Sequence, residues 1–180
     1  NQDKLTFSAV FIVDKHAKIL SSWYGRTIIH SDKRFTYEEV QEILEAGKGL
    51  YGEELKELNR LAKILQKEKF AAGAIEFESE EIKFKLDENG KPIGVYKKAR
   101  LDTHKLVEEY MLLANREVAK HIFDSIKKKG GQGLASIYRI HEIPDMEKIQ
   151  NLAVLVKALG HDLPVSKKGV SQQDINALLK

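Results

Sequence analysis

The residues best able to do chemistry are nine aspartates, six histidines and one glycine-rich run, and the spacing of each set argues against catalysis. A divalent-metal centre needs several carboxylates brought to one point. The aspartates stand at positions 3, 14, 32, 87, 102, 124, 145, 162 and 174, with no tight cluster among them. His16, His30, His104, His121, His141 and His161 share no metal-ligand spacing on one expected helix. Gly130-Gly131-Gln132-Gly133 follows a lysine-rich helix end rather than a strand, so a helix stop is expected there in place of a phosphate loop. Lys127–Lys129 reads as a solvated helix end. No catalytic residue and no metal ligand is therefore expected. The chain has no cysteine, which excludes disulfides, thiolate zinc sites and cysteine nucleophiles and fits a reducing cytoplasm.

Three other residues become relevant below. Phe77, from periodicity alone, reads as a core residue. Tyr37 sits in the first turn of a capped helix, where unpaired amides and the helix dipole favour a phosphate or sugar oxygen. Taken alone it is a ring beside a cap. Glu108 reads as an ordinary solvated helix glutamate, seven residues from Asn115 and on the same helix face.

The elements that must position these residues follow from patterning. Hydrophobic residues make up 42% of the 180 residues, enough for a packed core. Apolar runs such as Ser8–Val13 are too short to cross a membrane. The net charge of +3 is too small to imply a nucleic-acid partner by itself. Residues 5–13 alternate, with Phe7, Ala9, Phe11 and Val13 on one side, and residues 18–29 continue as the second arm of an antiparallel hairpin. Thr36-Tyr37-Glu38-Glu39 is a capping box that opens a helix to about Ala46, stopped by Gly47 and Gly49. Residues 52–69 form a longer helix with the stripe Leu55, Leu58, Ala62 and Leu65. Short β segments are expected at Ala74–Phe77, Ile82–Leu86 and Ile93–Tyr96, with a turn at Asn89-Gly90 whose two positions both need positive φ. Residues 103–127 form the longest helix, capped by Asp102 or Thr103, with Val107, Met111, Ala114, Val118 and Ile122 inward. A strand is expected at Ser136–His141. A helix capped by Asp145 turns Met146, Ile149, Ala153, Val156 and Leu159 inward, and a last short helix starts at Ser171. The fold class is α+β, with antiparallel β-hairpins packed against several α-helices.

Four segments in order carry a resemblance: Ser31-Asp32-Lys33-Arg34-Phe35-Thr36-Tyr37-Glu38-Glu39-Val40; Gly73-Ala74-Ile75-Glu76-Phe77-Glu78-Ser79-Glu80-Glu81; His104-Lys105-Leu106-Val107-Glu108-Glu109-Tyr110-Met111-Leu112-Leu113-Ala114-Asn115; and Tyr138-Arg139-Ile140-His141. Together they resemble the central part of the catalytic (RNB) domain of the RNase II/RNase R exoribonucleases, closest to RNase R. The match runs nearly end to end, and the third segment is the most specific.

The resemblance implies a processive, magnesium-dependent hydrolase that degrades single-stranded RNA from the 3′ end to nucleoside 5′-monophosphates. The family's metal-holding motif, D-x5-D-x-D-D, is not in this sequence. Residues 1–180 are thus expected to be a central piece of a larger enzyme, lacking the flanking cold-shock and S1 domains. It is expected to be inactive alone and to hold no metal. Magnesium belongs to the parent enzyme, and the partners are single-stranded RNA and the flanking domains, with no membrane. By motif, Phe77 matches the phenylalanine that packs on the 3′-terminal base, a sequence-tolerant stacking contact. Tyr37 and Glu108 match a tyrosine and a glutamate that distinguish RNA from DNA, the carboxylate by accepting the 2′-hydroxyl hydrogen bond that DNA lacks. Two other readings compete. One is a stand-alone, non-catalytic RNA-binding module. The other is a structural or interaction protein that keeps the fold without nucleic acid.

Overall fold

The computed structural model describes residues 2–75, 82–97, 99–128, 130, 137, 139–140, 144–166 and 169–179. In chain order the elements are β1 (Lys4–Val13), β2 (Ile19–Ile29), α1 (Tyr37–Ala46), α2 (Gly52–Ala71), β3 (Ile82–Leu86), β4 (Pro92–Lys97), α3 (Asp102–Lys128), α4 (Met146–Ala158) and α5 (Gln172–Leu178). Helices and antiparallel strand pairs together make the expected α+β class. The chain divides into two compact units, Asn1–Lys67 with Ala99–Ser136, and Glu68–Lys98 with Ile137–Lys180.

The first unit holds the β1–β2 hairpin, α1, most of α2, and α3. In the hairpin Ala9 pairs with Tyr24 and Val10 with Trp23. Its loop is tied by one carboxylate. Asp14 Oδ1 accepts the amides of His16 and Lys18, at 2.8 and 2.9 Å. The Ala17 amide donates to the Asp14 carbonyl at 3.0 Å. This geometry leaves Ala17 left-handed, at φ 60°, a conformation that costs an L-residue about 1–2 kcal/mol. The methyl group nonetheless earns its place, because Ala17 is buried with Leu61 and Leu65 of α2 and Leu113 of α3. Val13, Ile19, Ile64 and Tyr110 pack around this cluster. Farther along the hairpin, the Tyr24 ring stacks on His121 of α3 at 4.1 Å. The Arg60 guanidinium of α2 donates to the Lys15 carbonyl at the hairpin tip, at 2.9 Å.

The second unit contains the β3–β4 hairpin, α4 and α5. Its hairpin loop repeats the chemistry of the first. Asp87 Oδ1 accepts the amides of Asn89 and Lys91, and the Gly90 amide donates to the Asp87 carbonyl. Gly90 has a positive φ, 78°, and Asn89 does not. The turn is therefore a three-residue loop closed by one left-handed position, not the two-residue turn expected from Asn89-Gly90, and the pairing shifts register between Lys85 and Leu86. Val156 of α4 and Leu163 are buried. Asn176 of α5 donates to the Ala74 carbonyl at 3.0 Å. Asp145 caps α4 and Ser171 caps α5, as expected. Of the expected Ser136–His141 strand, Ile137, Arg139 and Ile140 are exposed and outside any strand, Ala74 and Ile75 likewise form no strand, and the remaining positions of both segments lie outside the described residues.

Several expected inward positions differ. Phe7, expected on the inner side of its hairpin, is 78% exposed, while Val13 packs against the buried cluster of Leu61, Leu65 and Leu113. On α2 Leu61, not Leu58, enters the core. On α3 Val107, Met111 and Ile122 are exposed, and the packed face runs through Glu109 and Leu113. That face lies about one residue, roughly 100°, round the helix. Counting only apolar residues missed it because it buries a carboxylate. Leu159, at the end of α4, is also exposed. Among the described residues no helix is long and apolar enough to cross a membrane.

Candidate nucleic-acid interface

Tyr37 is placed by its own helix cap. The Thr36 hydroxyl accepts the Glu39 amide at 3.2 Å, and the Glu39 carboxylate accepts the Thr36 amide at 2.7 Å. The reciprocal box pins Tyr37 at the first position of α1. The Thr36 amide holds the Glu39 carboxyl below its usual range against the opposing effect of desolvation, with Lys33 adding to the lowering.

The start of α3 meets this turn. Thr103, 2% exposed, donates its hydroxyl to the Tyr37 carbonyl at 3.1 Å, and its amide donates to Gln41 Oε1 at 3.4 Å. Asp102 pairs with Lys63 of α2 at 2.8 Å. The expected caps, Asp102 and Thr103, are thus engaged with α2 and α1. The Leu101 amide instead donates to His104 Nδ1, at 3.2 Å. A ring nitrogen that accepts carries no proton, so the proton of the neutral ring sits on Nε2.

The same imidazole carries Tyr37. The two rings stack with centroids 4.1 Å apart and planes 14° from parallel. Glu108 lies four residues beyond His104, one turn along the same helix face. Its Oε2 accepts from the Arg100 guanidinium. Tyr37 thus stacks on the helix that carries Glu108, four residues short of it, within the first unit. Phe77 lies outside the described residues.

This arrangement offers a half-exposed aromatic face and, one turn beyond its stacking partner, a carboxylate held by a guanidinium. A carboxylate has two oxygens and about four acceptor directions, so a guanidinium and a hydroxyl can bond it together. Lys33, Arg34, Arg100 and Lys105 supply positive charge in the segments around it. Asn59, Lys63 and Gln66 of α2 line a shallow cleft with Asp102, Lys105 and Glu109 of α3. Among the described residues no three His, Cys, Asp or Glu side chains gather where they could hold a metal ion.

The sequence marks Thr103 only as a possible helix cap and gives His104 and Arg100 no site role. The signal for His104 was present in its spacing of four from Glu108. The signals for Thr103 and Arg100 were not, because their partners, Tyr37 and Glu108, are fixed by packing and by the path of the chain into α3.

The RNB domain family model matches residues 1–180. DIS3-like exonuclease 2 of Caenorhabditis elegans is 32% identical over 185 aligned residues, which cover 93% of this chain and 21% of that protein. Ribonuclease R of Thermotoga maritima is 36% identical, over 88% of this chain and 22% of its own length. Among solved structures, Mycoplasma genitalium RNase R in complex with ribose methylated single-stranded RNA superposes with a TM-score of 0.80. It is 21% identical, over 99% of this chain and 28% of that one. The chain spans about a fifth of the length of these curated relatives. A match over the whole sequence, with relatives above 30% identity and a shared fold, shows that the chain belongs to the RNB-domain family, that of the Ribonuclease R and DIS3-like exonucleases.

Proposed function

We propose that this chain is the central part of the catalytic domain of a longer, cytoplasmic 3′-to-5′ exoribonuclease. That enzyme processively hydrolyses single-stranded RNA to nucleoside 5′-monophosphates, and Tyr37 and Glu108 line its RNA channel. The observation that carries this reading is the Tyr37–His104 stack with the Glu108 carboxylate one turn away. A ribose held there would meet an aromatic face and a directed acceptor for its 2′-hydroxyl, a group that DNA lacks. The solved RNase R bound to ribose methylated single-stranded RNA supports RNA as the ligand class. Phe77 is assigned to stacking on the 3′-terminal base, a contact worth about 1–3 kcal/mol for any base.

In this proposal the carboxylates that hold magnesium come from other segments of the longer protein, along with its flanking nucleic-acid-binding domains. The ions would polarise the phosphodiester and activate water when bound. The residues of this chain grip and orient the strand.

The test compares hydrolysis of end-labelled single-stranded RNA, with magnesium, by the 180-residue chain and by the full-length protein. The expected result is monophosphate release by the full-length protein and none by the chain. Equal rates would overturn the account of where the chemistry resides. Phe77→Ala in the full-length protein should slow hydrolysis and change the length of the end product. An unchanged rate and end product would remove Phe77 from the channel.

A further inference from the structure

We propose that His104 is a positioning residue for ribose recognition. Its imidazole is the platform that sets the tilt and height of the Tyr37 ring relative to the Glu108 carboxylate. The inference rests on the reading of Tyr37 and Glu108 as ribose contacts and assigns the residue that couples them.

Two facts make the imidazole a fixed platform rather than a chance neighbour. The Leu101 amide donates to Nδ1, which fixes the ring's rotation from below. The Tyr37 ring lies flat on one face of it, 14° from parallel. A hydrogen bond in the ring plane and a stack on its face restrain both side-chain torsions at once. The tyrosine backbone is restrained independently by the Thr103 hydroxyl on its carbonyl. The Tyr37 ring can still swing about its own side-chain torsions, and His104 blocks that swing on one side. Because His104 and Glu108 share a helix face, the platform and the acceptor move as one rigid piece. Selection between ribose and deoxyribose depends on one hydrogen bond, and such a bond weakens steeply with misalignment. A ring free to tilt would cost selectivity before it cost folding.

The platform and the cap can be separated chemically. His104→Phe keeps a flat stacking face and loses the acceptor for the Leu101 amide. His104→Gln keeps an acceptor at the same helix position and loses the face. Both are made in the full-length protein, with Tyr37→Ala and Glu108→Gln beside them. Each is assayed for hydrolysis of single-stranded RNA and of DNA of the same sequence, and for thermal midpoint. The expected result is that His104→Gln lowers the RNA-over-DNA rate ratio by about tenfold, the scale of one well-directed hydrogen bond, while His104→Phe stays within about twofold. His104→Phe should show the lower thermal midpoint of the two. Equal rate ratios for the two His104 variants, with Tyr37→Ala and Glu108→Gln both impaired, would overturn the positioning role and leave the ribose reading standing. An unchanged ratio in Tyr37→Ala and Glu108→Gln would overturn both.

Discussion

The phenol ring of Tyr37 and the imidazole of His104 lie face to face, 4.1 Å between centroids, although the two residues open different helices. The contact ties the first turn of α1 to the first turn of α3. The Tyr37 ring therefore rests on the helix that carries Glu108, one turn beyond its stacking partner His104.

Arg100 bears on that pair through charge. Its guanidinium bonds the Glu108 carboxylate, with both side chains about half exposed. Exposed ion pairs contribute little, so Arg100→Ala should change folding stability by less than about 1 kcal/mol. Its expected effect lies in recognition: a carboxylate released from its guanidinium samples more rotamers, and the RNA-over-DNA preference of the full-length protein should fall several-fold. Urea unfolding and paired RNA and DNA hydrolysis rates check the two halves separately.

Thr103 is the buried link. Its hydroxyl donates to the Tyr37 carbonyl from a position only 2% exposed. Thr103→Val keeps the volume and removes one of two donors to that carbonyl, which retains its partner within α1, and the expected loss is about 0.5–1.5 kcal/mol. Thr103→Ser keeps the donor and should lose less. Urea midpoints of the two variants test the order, and a valine variant as stable as the parent would show that the link carries no stability.

The two hairpin loops make a matched experiment in backbone strain. Each has an aspartate bonding two amides and one left-handed residue, Ala17 or Gly90. A Cβ added at Gly90 would meet nothing within 4 Å, so Gly90→Ala gains no packing to offset a left-handed penalty of about 1–2 kcal/mol. Ala17→Gly relieves the same strain but removes a buried methyl worth about 0.8 kcal/mol and frees the unfolded chain. Gly90→Ala should destabilise clearly and Ala17→Gly should lie near neutral, as read by chemical denaturation.

Acid should loosen the first unit at its turns. The Lys18 and His16 amides hold the Asp14 carboxyl below its usual range, and the Thr36 amide does the same for Glu39. A carboxyl whose folded pKa is depressed binds its proton more readily when unfolded. Its stabilising effect is complete above the unperturbed values, about 3.9 for aspartate and 4.3 for glutamate, and is lost as pH falls through the lower folded values. Asp14→Asn and Glu39→Gln should each flatten the acid limb of a stability-against-pH curve.

Local signals made much of this protein legible. The capping box at Thr36, the caps at Asp145 and Ser171, the pairing of residues 5–13 with 18–29 and the glycine stop at Gly47 follow from short local signals, and each stands as the sequence indicates. The family was legible too, because its motifs are contiguous runs. The packing face of α3 was not. Glu109 is buried there, and a polar residue enters a core only where distant groups receive it, which no periodicity records. The left-handed Ala17 was hidden for a similar reason: its strain is tolerated through contacts with Leu61, Leu65 and Leu113, far away in the chain. The union of Tyr37 with His104 and Glu108 belongs to the same class. Residue types and spacing determined what each helix end could do, and tertiary structure alone decided which ends meet, because stacking and hydrogen bonding act over a few ångströms of space and are blind to separation along the sequence.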